Sequence, residues 1–197
     1  MMTRCFIAIE LSRAIRKELA RLMERLRSQE HLADKGIRWT RPEQIHLTLK
    51  FLGQVPDENI SAICQAVSSI AALFDPFEFE VGHCECFPPQ GPARVLWAGI
   101  QEGHEDVQAL QEAIDVAMEQ LGFAPDARRF QGHLTLARIR QAKVGRLAKT
   151  AMNKVDPFTL PAQEVANLTL YQSDLTQQGP RYTPLHHATL GEATIQT

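Results

Sequence analysis

The chain alternates between two hydrophobic periods. Cys5, Ile7 and Ile9 fall at every second position, so residues 4–9 read as a buried strand. Ile15, Leu19, Leu22, Met23 and Leu26 follow at helical spacing, with Ser12 placed to cap that helix. Arg38-Trp39-Thr40 reads as a short strand, Arg41-Pro42-Glu43 as a turn and residues 45–52 as a strand. Pro56-Asp57 opens a helix carrying Ile60, Ile63, Cys64, Val67 and Ile70. Phe77, Phe79 and Val81 alternate with Glu78 and Glu80, a half-buried strand, and residues 94–100 form another. Val107, Leu110, Ile114, Ala117 and Leu121 define a helix that stops at Gly122. A strand over 133–139, a helix over 144–154 and strands near 164–172 and 181–190 complete the pattern.

Composition narrows the class. A chain of 197 residues, 44% hydrophobic and 22% charged, is long enough for one large domain or two small intimate lobes. A net charge of −2 excludes a generally basic nucleic-acid binder, so any contact with a polyanion must be local. No apolar run approaches the roughly 18 residues of a membrane span, and the apolar run at the N-terminus is too short for a secretory signal. Cys5, Cys64, Cys84 and Cys86 suggest no disulfide framework. The expectation is a reduced, cytoplasmic protein.

The candidate chemistry lies in a duplicated tetrapeptide. His46-Leu47-Thr48-Leu49 and His133-Leu134-Thr135-Leu136 are identical and 87 residues apart. In a strand, side chains at i and i+2 share a face, so each copy offers an imidazole beside a hydroxyl. Two such strands at one cleft supply an acid, a base and two donors for a small anion. The repeat extends further. Asp75-Pro76-Phe77 and Gly91-Pro92-Ala93-Arg94 follow the first copy; Asp156-Pro157-Phe158 and Gly179-Pro180-Arg181 follow the second. Each Arg comes 48 residues after its His. The expected organisation is a single domain, 1–197, of two pseudo-twofold lobes, with repeats over about 46–100 and 133–190.

Other residues add to this or fall away. Strict alternation sends Arg138 to the face opposite His133, so it reaches a phosphate only if the strand bulges or ends near Ala137. Its counterpart in the first copy is Phe51. From Ala127 to Val155 there are eight Lys or Arg and no Asp or Glu, a segment that suits either an RNA backbone or a solvated helix face. The basic positions of the first helix, Arg16 among them, read as a solvated surface. Trp39, Phe6, Phe51, Phe87 and Tyr171 are candidates to stack on a base, or to pack in the core. His83-Cys84-Glu85-Cys86 lacks zinc-type spacing, and His186-His187 point opposite ways in a strand, so neither reads as a metal site.

With these motifs in hand, the chain resembles the 2H phosphoesterases. It looks most like the bacterial and archaeal RNA 2′,3′-cyclic phosphodiesterases, also called 2′-5′ RNA ligases. The likeness rests on Arg4-Cys5-Phe6-Ile7-Ala8-Ile9, Ile45 to Gly53, Arg94 to Gly99, His133 to Arg138, Leu170 to Ser173 and Gly179 to Leu185. Gly132 departs from the family's usual Pro, and Cys5 from a larger aliphatic residue. The resemblance implies an α+β, bilobal fold: two antiparallel sheets around a central cleft, helices outside. It implies hydrolysis of an RNA terminal 2′,3′-cyclic phosphate to a 2′-phosphate, and a weak reversible 2′-5′ ligation, with no metal, cofactor, membrane or obligate protein partner. Residue by residue, it implies His46 and His133 as the catalytic pair, and Thr48, Thr135 and Arg138 as phosphate-binding groups. His46 is read as the acid and His133 as the base. The alternatives are a phosphodiesterase for a small cyclic nucleotide or 2′-5′ oligonucleotide, and a non-catalytic nucleotide-binding module.

Overall fold

A computed structural model describes residues 1–29, 32, 36–177 and 179–192. In β1 (Met2–Glu10), Cys5, Ile7 and Ile9 join the core, while Arg4, Phe6, Ala8 and Glu10 occupy the other face. The hydroxyl of Ser12 accepts from the Ile15 N–H at 3.3 Å and caps α1 (Arg13–Ser28), which buries Ile15, Leu19, Leu22, Met23 and Leu26. Then follow β2 (Ile37–Trp39), β3 (His46–Pro56), α2 (Ile60–Ala71), β4 (Phe77–Phe87), β5 (Val95–Glu102) and α3 (His104–Gln120). The chain ends with β6 (His133–Ile139), α4 (Ala142–Met152), β7 (Gln163–Val165), β8 (Asn167–Thr176) and β9 (Gly179–Thr189). The first His strand thus runs past residue 52 to Pro56, and one 3₁₀ turn over Asp57–Asn59 precedes α2. Gly103 sits at φ +74° between β5 and α3, where a Cβ would come 2.2 Å from the Glu78 carbonyl oxygen, so the turn requires glycine.

The fold is α+β, with an antiparallel curled sheet and four helices among the described residues. The strand order is β7-β4-β5-β6-β3-β1-β8-β9. This order is two antiparallel sheets, β7-β4-β5-β6 and β3-β1-β8-β9, that meet at one residue pair, Leu47 with Leu134. Beyond that pair β3 and β6 part, and β2 takes up the free edge of β6, with Ile37, Arg38 and Trp39 opposite Ile139, Arg138 and Ala137. The element order strand, helix, His strand, helix, strand occurs first as β1-α1-β3-α2-β4 and again as β5-α3-β6-α4-β8. Each His strand is flanked by the first strand of its own unit, but the last strands are exchanged: β4 pairs with β5, and β8 with β1. Arg94 and Arg181 therefore stand at unlike places. Arg94 precedes β5, beside β6, whereas Arg181 lies on β9 at the outer edge.

Candidate active site

The His strands carry their polar side chains to the concave face by the same device. In the pairing of β6 with β5, Thr135 lies opposite Trp97 and Ala137 opposite Leu96, so Leu136 is an extra residue. In the pairing of β3 with β1, Thr48 lies opposite Ala8 and Lys50 opposite Ile7, so Leu49 is the extra one. A bulge resets the alternation by one residue. Leu134, Leu136, Ala137 and Ile139 are all buried, and Arg138 returns to the face of His133 and Thr135. The bulge that alternation demanded is present. In β3 the reset turns Lys50 into the core and leaves Phe51 58% exposed on the site face.

The join at Leu47 and Leu134 fixes how the two motifs face each other. By antiparallel direction His46 and Thr135 flank that pair on one side, and Thr48 and His133 on the other. The histidines are thus diagonal neighbours on one face, each beside the other strand's hydroxyl. Each ring is locked alike. His46 Nδ1 is 2.8 Å from the Gln44 carbonyl oxygen, and His133 Nδ1 is 2.7 Å from that of Gln131. A carbonyl only accepts, so Nδ1 carries the proton in both rings. Nε2 remains as the nitrogen able to take or give a proton.

The surroundings are aromatic and carry both signs of charge, with Arg16, Arg41 and Arg181 beside Glu10 and Glu43. Phe6 stacks on His46 with centroids 4.7 Å apart, Tyr171 stacks on Phe6 at 5.1 Å, and Tyr182 meets His46 edge-on at 5.1 Å. Phe87 and Trp97 meet His133 at 5.2 and 5.7 Å. Burial pushes the His46 imidazole down to about 4; the Gln44 carbonyl pulls it back up, and the charges of Arg16 and His133 lower it further. His133 is also lowered, first by burial and then, against its bond to Gln131, by Arg138. Burial therefore favours the neutral form of both rings. The hydroxyls of Thr48 and Thr135 have no hydrogen-bond partner among the described residues, which leaves them free to donate. A cleft of about 800 Å³ opens beside His46 between Arg16, Arg41, Gln44 and the β8–β9 hairpin. A second of about 430 Å³ lies by His83, Trp97 and Arg129, next to the His133 strand.

All five residues expected from the sequence, His46, Thr48, His133, Thr135 and Arg138, come together on this face. Of the stacking candidates, Phe6, Phe51, Phe87 and Tyr171 join them. Trp39 does not; it packs on the core beneath Arg27, 5.0 Å from its ring centroid. Arg16, expected on a solvated helix face, instead lines the His46 cleft. Tyr182, Trp97, Arg4 and Arg38 also stand on the site face; the first three fall within the motifs that carry the resemblance but take no role there, and Arg38 lies outside them, since only strand pairing brings it here. Among the described residues, no group of three His, Cys, Asp or Glu is arranged to hold a metal ion. Cys86 is buried in the core and Cys84 packs against it. His186 bonds Ser68 and His187 bonds Thr169, on opposite sides of β9.

Two imidazoles, two hydroxyls and a guanidinium thus share one face of the antiparallel strands. The model of the LigT-like phosphoesterases matches residues 9–97 and 99–182, and the chain belongs to that family. It is 29% identical over 185 residues to the RNA 2′,3′-cyclic phosphodiesterase of Methanothermobacter thermautotrophicus, covering 94% of this chain and 97% of that one. A crystal structure from Thermus thermophilus superimposes with a TM-score of 0.79 at 27% identity, covering 95% of this chain and 98% of the other. Escherichia coli LigT in complex with 3′-AMP superimposes with a TM-score of 0.75 at 25% identity, covering 98% and 100%.

Proposed function

We propose that this protein hydrolyses the 2′,3′-cyclic phosphate at the end of an RNA to a 2′-phosphate. The observation that carries this reading is the diagonal pair of Nδ1-locked imidazoles, each beside a threonine of the other strand. His133 Nε2 takes a proton from water, and the water oxygen forms the new bond to phosphorus in line with the bond to O3′. That bond breaks as His46 gives its proton to O3′, leaving the phosphate on O2′. Thr48, Thr135 and Arg138 hold the non-bridging oxygens as charge builds on them. With the 5′-hydroxyl of a second RNA in place of water, the same two transfers make a 2′-5′ linkage. His46 must gain its proton in the complex, where the substrate's negative charge opposes the depression seen in the free protein. The name of the Methanothermobacter relative and the 3′-AMP complex of the Escherichia coli neighbour support an RNA substrate. The protein works in the cytoplasm, where its four free cysteines stay reduced, and needs no obligate partner.

The test is a short RNA ending in a 2′,3′-cyclic phosphate, incubated in excess EDTA with wild type, His46→Ala or His133→Ala. The expected result is multiple turnovers to a 2′-phosphate, reduced about 10²- to 10⁴-fold in either variant. Binding without turnover by the wild type would leave a nucleotide-binding module instead.

A further inference from the structure

Arg38 and Arg138 lie directly opposite each other in the pairing of β2 with β6. Both are exposed, while their neighbours Ile37, Trp39, Ala137 and Ile139 pack inward, so both guanidiniums project from the face that carries His133. Like charges directly opposite across a strand pair repel. Among the described residues neither forms an ion pair with a carboxylate. Arg4 joins them from β1, on the face of Phe6, whose ring stacks on His46. All three are near enough to Tyr182 for their charges to act on its phenol: burial pushes Tyr182 up, and Arg138, Arg4 and Arg38 in turn draw it back. The β8–β9 hairpin closes over the group. A Cβ on Gly179 would sit 2.9 Å from the Arg38 Nη2, so the backbone there lies against the guanidinium. Three cations near one phenol, none of them ion-paired among the described residues, offer a place for an anion at the edge of a cleft whose own carboxylates are Glu10 and Glu43.

That anion is not the scissile phosphate. In the reading above the cyclic phosphate is held by His46, His133, the two threonines and Arg138, the last of which stands beyond Thr135, past the bulge. Arg38 is one strand further out, roughly 4.8 Å away. We propose that Arg38 and Arg4, with Tyr182, form a second phosphate subsite, next to Arg138, that takes the 5′-phosphate of the terminal nucleotide, the phosphodiester linking it to the rest of the RNA. This rests on the paired-histidine reading above. It makes the site select RNA ends over cyclic mononucleosides, because only a nucleotide within a chain carries that phosphate.

The probes are adenosine 2′,5′-bisphosphate and adenosine 2′-monophosphate, which differ only in the 5′-phosphate. Their binding is measured by calorimetry without turnover. Wild type is expected to bind the bisphosphate about tenfold or more tightly, as a charge-assisted phosphate contact implies. Arg38→Gln weakens the bisphosphate about tenfold more than the monophosphate, and Arg38→Lys restores part of the difference. Arg146→Gln, on the outer face of α4, controls for bulk charge and leaves the preference intact. Equal affinity of wild type for the two probes overturns the proposal. So does equal weakening of both by Arg38→Gln. Turnover of adenosine 2′,3′-cyclic phosphate by wild type is scored separately, so loss of the reaction and loss of the subsite are told apart.

Discussion

His46 is where burial, tautomer and charge meet in one side chain. Its folded value of about 4 lies below the ordinary 6.5, so the unfolded chain takes up the proton first as pH falls. Stability from this group is complete above pH 6.5 and is lost as pH falls towards 4, about 3 kcal/mol in all. His46→Asn keeps a donor for the Gln44 carbonyl but does not titrate. Urea denaturation between pH 7 and 4.5 is therefore expected to show a shallower loss in that variant. Identical pH dependence in the two proteins would remove burial as the cause. The same depression shapes catalysis. Because both imidazoles are lowered in the free protein, kcat/KM is expected to be bell-shaped with its optimum on the acid side of 6.5. The kcat optimum should lie higher, since bound phosphate favours the charged rings. A kcat/KM optimum above pH 7 contradicts this. The histidines and threonines were legible because period two is local and the tetrapeptide occurs twice. Their protonation was not, since it depends on burial under rings from β1, β8 and β9 at His46 and from β4 and β5 at His133.

At the scale of the strand, the bulges decide what the site contains. Nothing in Leu49-Lys50 or Leu136-Ala137 announces one: there is no glycine or proline, and plain alternation puts Lys50 outside and Phe51 inside. The structure reverses both. Lys50 is 1% exposed and donates to the Asp115 carboxylate on α3 and, at 2.8 Å, to the Ala124 carbonyl. A buried ammonium is tolerated only while so paired. The Asp115 side chain keeps 21% of its surface in water, so the two partners are not equivalent. Asp115→Ala strands a buried cation and is expected to cost about 3–5 kcal/mol. Lys50→Met leaves a carboxylate that can hydrate, keeps the packing, and should cost clearly less. Urea midpoints of the two variants decide the order; equal losses would mean that helix packing rather than charge governs the site. The helices themselves were readable from spacing. What no single strand could show is that α3 ends at the back of β3, where its acid matches the lysine turned in by the bulge.

Over the whole molecule, the arrangement follows from exchanged strands and a single seam. The landmarks counted from each His place a repeat in the chain, yet the folded units begin one strand–helix pair earlier, because β4 and β8 cross to the sheet that continues the next or previous unit. Long-range pairing of that kind leaves no local mark. It also sorts the basic segment that composition left ambiguous. Gly145 approaches Ala93 so closely that a Cβ would sit 2.3 Å from its carbonyl oxygen, which presses one face of α4 into the fold. Lys143 and Arg146 are left exposed on that helix, while Arg138 is on the site face and Arg129 lines the second cleft. A chain of net charge −2 then meets RNA through few cations. Two phosphates neutralised on a single strand give a slope of about −1.4 in log(kcat/KM) against log[salt]. A cyclic mononucleoside should give roughly half of that, and Lys143→Gln with Arg146→Gln should leave the RNA slope unchanged. A slope steeper than about −4, relaxed by those two substitutions, would bring the outer face of α4 into the RNA path.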